Sequence, residues 1–268
     1  MSPSNIATGI DVAHAYIGRA ESGLNALKIV PRTPREHRSD QVVLQLISKA
    51  FALSKASLAL VESFPDEAFG LCRSLVECAI ILRYLTMNWD EREKRAREFV
   101  SYADTDAHRW CVRAYEVFKG TPDEEFVREM ARGLGVDPTR NPKGYGPTGA
   151  HGFAWEVLVT GRHPLDQPAT EMHRRAMHHV DYELACPFVH CSQPSVRNYC
   201  PDERAEFRIR PSSGVGQQEG HGIPNRVVYY LHTCIGYGLF GLNLDWPAGL
   251  EAEHQAAREA IDQMTRWL

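Results

Sequence analysis

One stretch constrains the rest of the chain more than any other: residues 65–88, PDEAFGLCRSLVECAIILRYLTMN. It is the most hydrophobic segment of the sequence, yet Arg73 and Glu77 sit in its middle. Pro65 suits a first helical position, where its missing N–H costs nothing, and Asp66 and Glu67 suit the positive end of a helix. At about 100° per residue, Asp66, Gly70, Arg73 and Glu77 fall on one stripe, which turns apolar beyond Glu77 through Ile80, Ile81 and Tyr84. The first half is therefore amphipathic and the second apolar nearly all round, the pattern of a helix inside a bundle. Arg73, Glu77 and Arg83 argue against a membrane span, since each charge is costly in hydrocarbon. An Arg and a Glu four apart on a mostly buried helix must meet each other or a third polar group. They read either as an ion pair that fixes helix register or as the floor of a site.

The flanking sequence supplies a bundle. Apolar positions at helical spacing predict helices over 6–30, 35–64, 89–119, 123–134, 170–192, 226–244 and 251–268. In the second helix, AFALSKASLALVESF is rich in Ala, Leu and Ser, residues that allow close approach. The short connection to the central helix predicts an antiparallel hairpin. Phe99, Tyr102, Trp110 and Tyr115 read most simply as core. Residues 193–225 read as an irregular insert. The expected architecture is an all-α bundle in a single domain over 1–268, with residues 226–268 completing it.

Bulk properties narrow the function classes. A net charge of −4 and a pI near 6.3 exclude nucleic-acid binding through bulk charge but leave a local basic groove open. Seven scattered cysteines read as reduced thiols of a cytoplasmic protein rather than a disulfide framework. The first residues, MSPSNIATG, lack the pattern of a signal peptide. No glycine-rich turn follows a predicted strand, so a nucleotide-binding fingerprint is unsupported.

Two constellations carry candidate chemistry. The first is Arg73 with Glu77. The second is a stripe on the helix from Thr170: Arg175, His179, Tyr182, Cys186 and His190, spaced by three or four. Such a stripe suits neither an aliphatic core nor a solvated face. It reads as the lining of a polar cavity, or as separately hydrogen-bonded groups at a helix interface. Metal patterns are poor. Asp104 with His108 and His179 with Glu183 are i,i+4 pairs, but ferritin-like sites require Glu-x-x-His twice. Cys186, His190, Cys191 and Cys200 lack a standard zinc spacing. No metal and no cofactor is expected.

The pattern R-S-L-V-E followed by an apolar run, then Tyr182, Cys186 and His190 with Cys191 and Ser192, resembles the domain-of-unknown-function 5677 family over about 41–192. Cys186 stands where that family usually has Ser, which puts a hydroxyl role there in doubt. The resemblance implies a helical protein of bacterial or phage-defence type, grouped with HEPN-like folds, many of which are homodimeric, metal-independent ribonucleases with an R-x(4–6)-H motif. Arg226 to His232 matches that motif formally. The two lie about 120° apart on a straight helix, so they converge only if Arg226 sits at a frayed start. For RNA cleavage, His190 would move the proton, Arg73 would stabilise phosphate charge, Tyr182 would position the ribose and Glu77 would orient its neighbours. Arg175, His179, Arg226 and His232 would contact substrate. The competing expectations are a non-catalytic module that binds a small molecule or partner protein, and a metal-dependent helical enzyme.

Overall fold

The structure is a computed structural model that describes residues 3–27, 29, 38–140 and 222–265. The fold is all-α. In chain order the described helices are α1 (Pro3–Ala26), α2 (Arg38–Leu60), α3 (Pro65–Thr86), α4 (Arg92–Phe118), α5 (Glu124–Gly133), α6 (Gly222–Leu242) and α7 (Leu250–Thr265). The predicted helix over 170–192 and most of the predicted insert lie outside the described residues.

The central helix begins as its sequence dictates, with Pro65 in its first turn and Asp66 and Glu67 beside it. It closes when the Met87 N–H donates to the Arg83 carbonyl. Leu75, Leu82 and Leu85 of α3 are fully buried, each contributing about 1.5–3 kcal/mol of hydrophobic stabilisation. α3 packs against α2 and α6, which also pack against each other, so these three form the heart of the bundle. Ala50, Ser54 and Ser57 of α2 lie on its buried side, while Ala52, Ala56 and Ala59 are exposed. Ser54 donates to the Ala50 carbonyl at 2.8 Å, and Ser57 meets the Cys72 thiol at 3.9 Å. By length and composition α2 could cross a membrane. Its buried face instead meets other helices, and its first turn carries buried Asp40.

The glycines of α6, which weaken a helix prediction, have a packing reason. A Cβ at Gly238 would run into Ile47 of α2, and one at Gly241 into Thr86 of α3. Thr86 cannot easily turn away, because it is buried and its hydroxyl donates to the Leu82 carbonyl at 2.8 Å. The start of α6 corrects the sequence expectation. It begins at Gly222, four residues before Arg226, and Pro224 falls within its first turn. N–H groups there have no intrahelical partner in any case, so proline is tolerated. Residues 222–225 are helical rather than irregular.

α1 and α7 pair with each other and flank α6 on one side, while α4 crosses α2 and α3 on the other. Arg92 at the start of α4 is buried. It lies over the Trp89 ring at 3.8 Å, pairs with Asp40 at 3.6 Å and donates to the Gly241 carbonyl. Next to it, Glu93 accepts from the Ser39 N–H at 2.9 Å and the Arg38 N–H at 3.0 Å, so a carboxylate of α4 caps the first turn of α2. Burial pushes the Glu93 carboxyl up, but these hydrogen bonds outweigh it and hold the group below the usual carboxylate range.

The outer half of α4 packs on α5 through Cys111, Val112, Tyr115, Val127 and Ala131. This cluster stands apart from the main core. Trp110, expected in the core, is half-exposed at 53%, because α5 covers only one face of this end of α4. Among the described residues, Cys72, Cys78, Cys111 and Cys234 are buried free thiols.

Candidate functional site

α6 presents polar residues to two different seams. On the α3 side, Arg73 Nη2 lies 3.6 Å from Glu77 Oε1. The two side chains are 13% and 30% exposed, so the pair is neither sealed in the core nor fully solvated. One turn earlier on α3, Phe69 carries the guanidinium of Arg226 over its ring at 5.2 Å. Arg73, Glu77 and Arg226 thus share one half-open strip where α3 meets α6. The fully buried charge of α3 is a different residue, Arg83, which donates to the Tyr237 hydroxyl at 2.8 Å.

His232 faces the other way. Because α6 begins at Gly222, Arg226 stands in regular helix and cannot swing toward His232. The structure does not bring that pair together. His232 enters the seam of α6 with α1 and α7, where its Nδ1 lies 2.8 Å from the Tyr16 hydroxyl and its Nε2 3.0 Å from Glu251 Oε2. A carboxylate can only accept, so Nε2–H donates to Glu251 and Nδ1 accepts from Tyr16. The imidazole is sandwiched. Trp246 stacks on it at 4.6 Å and 21°, and His254 at 3.6 Å and 6°. Gly236, one turn along α6, makes room for this: a Cβ there would stand 3.0 Å from Trp246.

Burial sets the charge state of this cluster. It pulls His232 down to about 4, with the nearby Arg258 guanidinium adding to the shift. Burial, then His232 and Arg258, pull His254 down to about 3. Both imidazoles are therefore neutral at pH 7, and the contact between His232 and Glu251 is a hydrogen bond rather than a salt bridge. The Tyr16 hydroxyl is pushed up by burial and by Glu251 and Glu253, and stays protonated. His254 Nε2 is buried with no hydrogen-bond partner among the described residues. Beside the cluster, α1 and α7 leave a groove of about 360 Å³ walled by Val12, Ala15, Ala252 and Ala256, with Tyr16 in its lining. Arg19 and Glu253 form an ion pair across it at 3.4 Å.

Of the residues singled out from sequence, Arg73 pairs with Glu77, Arg226 lies over Phe69 one turn earlier on α3, and His232 stands apart. Tyr182, His190, Arg175 and His179 lie outside the described residues. His108 turns its Nε2 to the Asp137 carbonyl at 2.7 Å instead of toward a shared ion. Sequence reasoning missed Tyr16, Glu251 and His254. Glu251 and His254 form one Glu-x-x-His on the last helix, a local pattern that the sequence reading did not pick out. Tyr16 meets His232 across 216 residues, which no local pattern reveals.

No curated protein and no solved structure matches this chain. A family model matches residues 40–207, more than half of the sequence. The matched span contains Arg73 and Glu77, while Tyr16, His232, Glu251 and His254 all fall outside it. By that match the chain belongs to the family of unknown function DUF5677.

Proposed function

We propose that this protein is a HEPN-like helical protein that binds RNA along the α3–α6 seam and cleaves it without a metal ion, as a cytoplasmic homodimer. The observation that supports this is the pairing of Arg226 over Phe69 with Arg73 one turn away, which gives one strip two guanidinium groups. A guanidinium offers a planar fork that suits phosphate, and its charge survives at any physiological pH. In this reading Arg73 steadies the charge that builds on the phosphate and Glu77 orients it. His190 moves the proton, Tyr182 positions the ribose, and Arg175 and His179 contact substrate. His232 has no part in it. It faces the other seam of α6, where Tyr16 and Glu251 engage both of its ring nitrogens.

The test uses end-labelled RNA and purified full-length protein in buffer with excess chelator. Cleavage is expected, abolished in His190→Ala and at least tenfold slower in Arg73→Ala, with both variants folded by circular dichroism. RNA that stays intact with well-folded wild-type protein rejects the nuclease. A second reading, a non-catalytic module for a small molecule or partner protein, is supported by the α1–α7 groove. It predicts ligand-dependent thermal stabilisation without turnover.

A further inference from the structure

We propose that His232, Glu251 and His254 form a binding site for a divalent first-row transition-metal ion, zinc in the first instance, with Tyr16 as its positioning residue. The proposal is independent of the RNA reading: it concerns another seam and residues outside the family match. One donor atom from each of the three side chains lies within 4.8 Å of the other two. Two imidazoles and one carboxylate are a borderline-soft set that suits zinc or ferrous iron and not calcium or magnesium, which demand oxygen.

Three further observations point the same way. First, His254 Nε2 is buried without a hydrogen-bond partner among the described residues, and the residue is only 7% exposed. A buried polar atom needs a partner, and a cation is one it can take. Second, Nε2 of His232 already lies 3.0 Å from the Glu251 carboxylate, so two of the three donors converge without any shift of α6 or α7. Third, Tyr16 supplies the outer partner that metal-bound histidines nearly always have. In the metal-free tautomer Nδ1 of His232 accepts from Tyr16 and Nε2–H faces Glu251. With the ion bound, the proton sits on Nδ1 and is donated to the Tyr16 oxygen, while Nε2 and the Glu251 carboxylate turn to the metal. No net proton is released from His232 by that exchange.

Other contacts shape the site. The imidazole rings lie parallel at 3.6 Å, so one ion cannot lie in the plane of both, and binding requires the two rings to splay. Trp246 covers the far face of His232, so His254 makes the larger movement. The charged groups around the rings are Glu251, Glu253, Arg19 and Arg258. Arg258 opposes a dication, since its field already lowers both histidines, and Glu251 and Glu253 offset it. Glu251 is exposed, which leaves an approach for the ion and a coordination position for water.

The experiment strips the full chain with chelator, dialyses it, and adds Co(II) and then Zn(II). One ion per chain is expected by elemental analysis, with the strong visible bands of four- or five-coordinate cobalt and a rise in Tm. Glu251→Gln, at an exposed position that leaves the fold intact, should weaken binding at least tenfold at unchanged metal-free Tm. Tyr16→Phe should weaken it about tenfold and alter the cobalt spectrum, which a purely structural role would not do. Weak six-coordinate bands would overturn the proposal. So would binding that Glu251→Gln and His254→Ala leave untouched, since the ion would then sit elsewhere in the chain.

Discussion

The two seams of α6 keep polar side chains in opposite ways. Toward α3, Arg73, Glu77 and Arg226 remain charged and half-open to water. Toward α1 and α7, Tyr16, His232 and His254 lie largely inside and are neutral. The difference follows from what each side chain can do when water is withdrawn. An imidazole can release its proton and lose its charge, whereas a guanidinium cannot, so it must keep solvent or find fixed partners. Arg83 shows the second outcome on the same helix as Arg73. It has no exposure and meets the Tyr237 hydroxyl and ring.

The largest effect that can break this contrast is Arg83→Ala. Emptying the space of a large, fully buried side chain and leaving the Tyr237 hydroxyl without its donor should cost about 3–5 kcal/mol, read from urea unfolding. A loss below about 1 kcal/mol would mean that Arg83 is as well hydrated as the seam arginines. Acid comes next. Both histidines have folded pKa values below the unfolded value near 6.5, so the unfolded chain takes up protons first as pH falls. Their contribution is whole above about pH 6.5 and drains away toward the folded values of about 4 and 3. At pH 5 the loss should be about 2 kcal/mol per histidine. Thermal melts at pH 7.5 and pH 5 measure the loss. Imidazole proton shifts should stay flat between pH 8 and pH 5, and a ring titrating near 6.5 would show this seam to be wet. The smallest stability effect belongs to Glu77→Gln. An ion pair with partial exposure is worth less than about 1 kcal/mol, and a larger drop would mean that the α3 seam is closed.

Sequence periodicity revealed the helices themselves, because each buries one face and the spacing of apolar residues records it. α3 was legible from its proline start to within two residues of its end. The charges on it were harder to rank. Periodicity identifies a stripe but not what covers it, so Arg73 and Glu77 looked like the buried pair while Arg83 only argued against a membrane. Trp110 failed for the same reason, since a helical face is core only where a neighbour arrives. α6 begins earlier than the apolar spacing predicts, because a proline is tolerated in a first turn. At the candidate sites, Arg73 with Glu77 was readable as an i,i+4 pair. The approach of Arg226 through Phe69 was not, being a contact between distant helices. The histidine cluster depends on three helices meeting, and only its Glu251–His254 half leaves a trace in local spacing.

α6 also separates two ideas of what a module is. Val227, Leu231, Ile235 and Leu239 of this helix are buried to within 1%, and α6 packs against α2 and α3. Four such side chains contribute on the order of 6–12 kcal/mol, comparable to the whole net stability of a typical domain. Yet α6 lies beyond the recognised span of 40–207. A fragment cut to that span would keep every residue by which the family is recognised and still leave the faces around Ile47 and Thr86 open to water. The stretch that carries kinship is shorter than the stretch whose helices close the core.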